Sequence, residues 1–320
     1  MRFLRKLGYL LATFTAAISP ALATPVCNID NEAAEKLNLP IYEWSDPSVP
    51  TKGTVVAIHG LTFYAAAYDD FAKHLAERGY RVYAADMRGF GRWKDEYQKF
   101  GGDDKIHFTQ STEDVVKLLT FLNSRNGEKA IFLGESLGAN LALLVAAEHP
   151  ELVQSTIVSA PCVKTCVHPS PKWAVDFWKG LAHPNKPLNL ESYIEPYLSN
   201  NKTLTASCMA DQKICRAMSP VELIKAQKTN KLAIEQLEAI PDTMPMLIMA
   251  GKEDQVVKAS ALPKMVARLK TKDKTLNVLP EHGHLMIEHQ KVDTTVAQVI
   301  DTWLDKRQAP ALELSNLSKL

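Results

Sequence analysis

From residue 54 onward, short apolar runs alternate with longer segments of helical period, and this alternation restricts the chain to a mainly parallel sheet covered by helices. The runs span 54–58, 81–85, 130–133, 155–159, 246–250 and 275–279, rich in Val, Ile, Leu and Ala, and 39–44 predicts a further edge strand. Between them, 68–78, 112–123, 137–148, 262–270 and 292–306 place apolar residues at i, i+3 and i+4, the spacing of helices laid on a sheet. The alternation breaks once, where about 80 residues separate the fourth run from the fifth, a connection too long for an ordinary loop. Its first part is rich in proline (Pro169, Pro171, Pro184, Pro187, Pro196), and 220–239 reads as a helix with Ser219 as cap and Pro220 in the first turn. The expected organisation is a core of 24–161 and 243–320, with 162–242 inserted as a helical cap over the carboxyl edge of the sheet, where open α/β sheets bind ligands.

A chain of 320 residues that is 46% hydrophobic and 23% charged fits one large α/β domain with such an insertion and excludes disordered and fibrous classes. Formal charge is +1, and Arg2, Arg5 and Lys6 are the only charges in the first 23 residues, so the remainder carries −2 and lacks the basic footprint of a nucleic-acid binder. Residues 1–23 read as a signal peptide: a basic start, an apolar stretch over 7–18, and Ala21-Leu22-Ala23 before the cleavage point. That apolar stretch covers about 18 Å of a hydrocarbon core of about 30 Å, which weighs against an uncleaved anchor. Val26 before Cys27 weighs against a lipid anchor there. The expectation is an exported protein, periplasmic or secreted. Export puts Cys27, Cys162, Cys166, Cys208 and Cys215 where disulfides persist. Local bridges are expected, Cys162 with Cys166 or Cys208 with Cys215, leaving Cys27 unpaired; buried free thiols are the alternative. The spacings match no zinc knuckle, so no metal is expected.

Gly134-Glu135-Ser136-Leu137-Gly138 joins the run at 130–133 to the helix at 137–148. This is a GxSxG elbow in strand-turn-helix context, with glycine on both sides because the serine sits in a strained turn and the helix passes close to the strand. Ser136 is the expected nucleophile. A serine hydroxyl needs a base, and the base an orienting acid, in the chain order Ser, acid, His. Asp254, past the run at 246–250, is the expected acid, with Glu253 as its rival. In Glu281-His282-Gly283-His284, past the last run, His284 is the expected base because Gly283 frees the backbone before it, and His282 is the rival. Negative charge on a carbonyl oxygen requires backbone donors already in place, and those of Leu61, after His59-Gly60, and of Leu137 are expected to supply them. His59 precedes the serine and reads as a structural hydrogen-bonding residue in its turn.

His59-Gly60-Leu61, the segment from Tyr68 to Ala76, Gly79-Tyr80-Arg81-Val82-Tyr83-Ala84-Ala85-Asp86-Met87-Arg88-Gly89-Phe90-Gly91 and the GESLG elbow together resemble the monoacylglycerol lipase and lysophospholipase branch of the α/β-hydrolases, from about Val55 to Trp303. The resemblance implies an α/β-hydrolase fold with Ser136, Asp254 and His284 as triad and Leu61 and Leu137 as oxyanion donors. It also implies a supporting turn at Asp86, Arg88, Gly89 and Gly91. Trp93 departs from the family, which carries a small polar residue there, and so do the cysteines of 162–242.

Trp173, Phe177, Trp178 and Leu181 form one apolar helix face, read either as docking onto the core or as an acyl-chain wall, and Trp178, Phe63 and Tyr64 are the expected substrate-binding residues. The expected function is that of an exported serine hydrolase acting through an acyl-enzyme on a monoacylglycerol, lysophospholipid or similar acyl ester. No cofactor, no nucleic acid and at most transient contact with a membrane surface are implied. Serine in the elbow argues against epoxide hydrolases and haloalkane dehalogenases, whose nucleophile there is a carboxylate. A peptidase or acyltransferase using the same triad, and a binding protein on a dead hydrolase fold, are the alternatives.

Overall fold

The computed structural model describes residues 24–165, 171–289 and 291–308. The signal-peptide expectation and Cys166 lie outside them. The chain runs β1 (Val26–Asn28), α1 (Glu32–Leu37), β2 (Ile41–Ser45), β3 (Gly53–Ile58), α2 (Asp69–Glu77), β4 (Tyr80–Ala85), α3 (Gly91–Glu96), α4 (Phe108–Asn126), β5 (Ala130–Glu135), α5 (Leu137–Glu148) and β6 (Val153–Ser159). It leaves the sheet for α6 (Pro171–Gly180), β7 (Leu188–Asn189), α7 (Glu191–Leu198), α8 (Lys202–Ala210), β8 (Ala217–Met218) and α9 (Pro220–Glu235). It then returns through β9 (Met246–Gly251), α10 (Leu262–Arg268), β10 (Lys274–Leu279) and α11 (Thr294–Gln308).

Eight strands form one sheet in the order β1-β2-β4-β3-β5-β6-β9-β10. β1 and β2 pair antiparallel with their neighbours and the rest are parallel. All six runs read from the sequence are strands. The segment at 39–44 is strand β2, but it is not the edge: the three residues of β1 cover it. Three residues are too few to show an alternating pattern, so β1 left no signal. β5 is buried at every position, as a central strand between helical layers must be. α5 is buried over nearly its whole length, with a mean polarity too low to betray a face.

The insertion is tied to the core near its start, and its last helix is capped from within. Ser219 and Glu222 make a reciprocal capping box at the start of α9. Residue Thr165 bridges Val257, and the Lys258 N–H donates to the Lys164 carbonyl. Among the described residues no disulfide is formed: Cys27, Cys162, Cys208 and Cys215 are all free. Sequence proximity misled here because the side chains face different cores. Cys208 is buried with Phe63, Tyr64 and Leu204, whereas Cys215 packs into the main core and its thiol donates to the Ala217 carbonyl.

Candidate active site

The direction of chain progression along the sheet reverses between β3 and β5, and the carboxyl ends of those two strands are where an open α/β sheet leaves a crevice. His59-Gly60-Leu61 leaves β3 and Ser136 leaves β5 at that point. Ser136 has φ 57 and ψ −120, a backbone conformation that ordinary side chains avoid, which lifts its hydroxyl out of the turn. Both glycines of the elbow are needed for close approach. A Cβ on Gly138 would stand 2.0 Å from the Ile58 carbonyl oxygen, and one on Gly134 would stand 2.3 Å from the Gly138 carbonyl oxygen.

Strands β9 and β10 bring the other two residues to the same edge. His284 Nε2 lies 2.9 Å from Ser136 Oγ, and its Nδ1 lies 2.8 Å from Asp254 Oδ2. The second carboxylate oxygen of Asp254 accepts the Val256 and Val257 N–H groups at 2.7 and 2.9 Å, which fixes the acid. With Asp254 accepting from Nδ1, the imidazole presents Nε2 as acceptor to the hydroxyl, the arrangement a general base requires. The rivals are elsewhere. Glu253 is engaged by the Asn200 side chain, and His282 lies between the Pro280 carbonyl and Asp293.

Gly283 serves a different purpose from the one its sequence position suggests. The left-handed residue of this loop is Glu281, at φ 61; a Cβ on Gly283 would stand 2.8 Å from Asn200 Oδ1 and 3.2 Å from the Asn200 backbone nitrogen, so its small size lets Asn200 pack against the loop. Leu61 and Leu137 both line the space in front of Ser136. Leu137 opens α5, where a helix leaves its first N–H groups without intrahelical acceptors.

That space is a cavity of about 490 Å³ between the sheet edge and the insertion. Its walls are largely apolar, with Phe63 from the loop after β3, Trp173 and Phe177 from α6, Leu198 from α7 and Leu223 from α9. Trp173 and Phe177 stack at 4.9 Å. Two expected lining residues stand elsewhere. Trp178 is 73% exposed on the outside of α6, and the Tyr64 hydroxyl is bonded to Asp211, away from the cavity wall. Trp93, the departure from the family pattern, is buried beneath Arg88, its indole N–H on the Asp103 carbonyl, and does not shape the cavity.

Several participants were not foreseen. Cys162, just past β6, places its sulfur 3.7 Å from Ser136 Oγ, and burial pushes its thiol up to about 11, so it stands there as a neutral thiol. Asn140 of α5 holds the Cys162 backbone at both its N–H and its carbonyl and also bonds the Asn230 carbonyl of α9. Glu135 and Glu288 are buried carboxyls on either side of the elbow. His59 behaves as expected: burial lowers it to about 4, its Nδ1 donates to the Gly60 carbonyl, and its Nε2 accepts the Met87 N–H.

Asp86 ties the two turns together by accepting the Ala65 and Arg92 N–H groups at 2.6 and 2.8 Å. Burial raises its carboxyl from 3.8 to about 7, against the pull of those bonds. A group raised in the folded state contributes stability that is full below its ordinary value and lost as pH rises through about 7. The melting temperature should therefore decline between about pH 4 and 7, and Asp86→Asn, although less stable throughout, should lose that decline. An unchanged slope in the variant would contradict this assignment.

The family model described as serine aminopeptidase, S33 (Hydrolase_4) matches residues 49–291. The chain belongs to that family. It is an α/β-hydrolase of the monoacylglycerol lipase-like branch. It is 26% identical over 281 residues to monoglyceride lipase of Homo sapiens, covering 84% of this chain and 87% of that one. It is 25% identical over 249 residues to monoacylglycerol lipase of Mycolicibacterium smegmatis, covering 76% and 85%. Among solved structures, a soluble variant of monoglyceride lipase from Saccharomyces cerevisiae, in complex with a substrate analogue, superposes with a TM-score of 0.69 at 20% identity, covering 94% of this chain and 100% of that one. At that identity the superposition establishes the shared fold.

Proposed function

We propose that this chain hydrolyses neutral acyl esters of the monoacylglycerol type through an acyl-enzyme on Ser136. The observation that carries this reading is the hydrogen-bonded chain from Ser136 through His284 to Asp254, opening into an apolar cavity. His284 Nε2 takes the hydroxyl proton as Ser136 Oγ attacks the ester carbonyl; the Leu61 and Leu137 N–H groups receive the charge on the carbonyl oxygen. Collapse expels the alcohol with the proton returned from His284, and water attacks the acyl-enzyme by the same route. Residues 162–242 act as the cap, with Trp173, Phe177 and Phe63 contacting the acyl chain.

Among the described residues lining the cavity there is no Lys or Arg, so a phosphate-bearing headgroup would find no cationic partner. The expected order of kcat/KM is 1-monoacylglycerol above lysophosphatidylcholine of the same chain by about tenfold or more, as loss of one charge-assisted contact implies, with aminoacyl amides below both. Preference for the lysophospholipid or for the amide would overturn the reading in favour of a phospholipase or a peptidase.

The exposed Val175 and Trp178 of α6 favour transient contact with the lipid surface that holds such a substrate. Trp178→Glu should lower turnover of monoacylglycerol in vesicles by about tenfold, the equivalent of 1.4 kcal/mol of lost interfacial binding. Turnover of soluble p-nitrophenyl butyrate should be unchanged. Equal loss on both substrates would show that the residue stabilises the cap instead. The proposed location is outside the cytoplasm after removal of 1–23, and amino-terminal sequencing of the mature protein should begin at Thr24.

A further inference from the structure

Two carboxyls that the reaction does not use meet behind the oxyanion loop, and their surroundings differ sharply. Glu135, directly before Ser136, accepts four hydrogen bonds, two on each oxygen. Oε1 takes the Ser159 hydroxyl at 2.6 Å and the Met286 N–H at 3.0 Å; Oε2 takes the N–H groups of Ile287 and Glu288 at 3.2 and 2.9 Å. Four donors converging on one carboxyl are the setting of a carboxylate. Glu288 is equally buried but has far less support. Its Oε1 accepts the Gly60 N–H at 2.7 Å, and its Oε2, also buried, makes no hydrogen bond. The adjacent Tyr68 hydroxyl has one proton to give: spent on the Ile58 carbonyl, 2.9 Å away, it leaves only an acceptor oxygen towards Glu288, whereas given to Glu288 it would favour the charged form. One member of the pair is built to hold a charge and the other to hold a proton.

Glu288 lines the catalytic cavity together with Ser136, Leu61 and His284. A Cβ on Gly60 would lie 3.0 Å from Glu288 Oε2 and 3.4 Å from Ser136 Cβ, so acid and nucleophile flank the same glycine. We infer that Glu288 is a positioning residue that keeps its proton through turnover: Oε1 fixes the Gly60 peptide and so aims the Leu61 N–H, and the protonated Oε2 keeps negative charge away from the forming oxyanion. An ionised Glu288 would oppose the charge that Leu61 and Leu137 stabilise and would stand unsupported beside the Glu135 carboxylate. The groups facing it are Glu135 from β5, Tyr68 from the turn before α2, Cys208 from α8 and His284 from its own loop. Burial pushes Glu135 up and Glu288 well up, and the charge of Glu135 raises Glu288 further; hydrogen bonds pull both carboxyls back down, Glu135 through the Ser159 hydroxyl and two backbone N–H groups and Glu288 through fewer donors.

The inference rests on ester hydrolysis at Ser136 and not on which ester is preferred, and the first test needs no turnover. Infrared difference spectra of the whole protein at pH 9, where Asp86, at about 7, is ionised, should show the carbonyl stretch of a buried protonated carboxyl. The band should vanish in Glu288→Gln and persist in Glu135→Gln. With p-nitrophenyl butyrate, Glu288→Gln, which keeps the Oε1 acceptor, should hold kcat within about threefold at pH 7.5 and lose any fall in kcat/KM that the parent shows at alkaline pH. Glu135→Gln, which turns a donor toward backbone N–H groups, should lower kcat by about a hundredfold. Absence of the band in the parent at pH 9, or its survival in Glu288→Gln, overturns the inference, as does a loss of kcat in Glu288→Gln as large as that in Glu135→Gln. Should Glu288→Gln fail to fold, the parent and Glu135→Gln spectra decide alone.

Discussion

Replacement of His284 by Ala should lower kcat for a soluble ester roughly a thousandfold or more while leaving a folded protein, because only oxyanion stabilisation and binding then remain. The geometry underlies this expectation: His284 is buried between the Ser136 hydroxyl and the Asp254 carboxylate, at 2.9 and 2.8 Å, and nothing else within that chain can take the proton. His282→Ala should cost under about tenfold, since its ring nitrogens are engaged by the Pro280 carbonyl and Asp293 and brace the loop only. Near-parental turnover in His284→Ala together with a dead His282→Ala would reverse the assignment.

The largest effect on stability is expected at Gly138. A Cβ there would lie 2.0 Å from the Ile58 carbonyl oxygen and 2.8 Å from that of His59, so Gly138→Ala must force α5 away from β3. Both contacts are backbone, and neither can swing aside as a side-chain end could. A cost of about 3 kcal/mol or more is expected, a fall in melting temperature on the order of 10 °C, with soluble expression reduced. Gly127→Ala is the comparison. Gly127 ends α4 at φ +72 with open space around it, so it loses only the left-handed backbone preference, about 1 kcal/mol. If the two variants melt together, the close approach in the elbow is not what demands glycine.

The parts of the fold that were legible in the sequence are those where one physical signal dominates. Central parallel strands are buried on both faces and appear as continuous apolar runs, and the elbow appears because its glycines are compelled by backbone contact. The two side chains that the structure joins to Ser136, Asp254 and His284, could be picked out because both lie just past strand ends, in loops with no competing periodicity. What depends on rotation about a helix axis was not. Trp173, Phe177 and Trp178 were read as one face, but at about 100° per residue the first two are about 40° apart and the third about 140° from the first. The insertion follows that geometry, with Trp173 and Phe177 on the cavity and Trp178 in solvent. The cysteine expectation failed for a related reason, since spacing says nothing about which core each thiol faces. Glu135 and Glu288 were invisible as a pair. They are 153 residues apart, and an acid at a strand end or in a loop is indistinguishable from a solvated one until the fold buries it.

The central claim is that Ser136 is the nucleophile of an ester hydrolase. A fluorophosphonate probe tests it most directly: the protein is incubated with the probe, sampled for residual monoacylglycerol hydrolysis, digested, and the modified residue located by mass spectrometry. One adduct per chain, on Ser136, appearing in step with loss of hydrolysis and prevented by prior substrate, is the expected result. A folded protein that takes up no probe, or one that is labelled elsewhere while hydrolysis persists, would contradict the account.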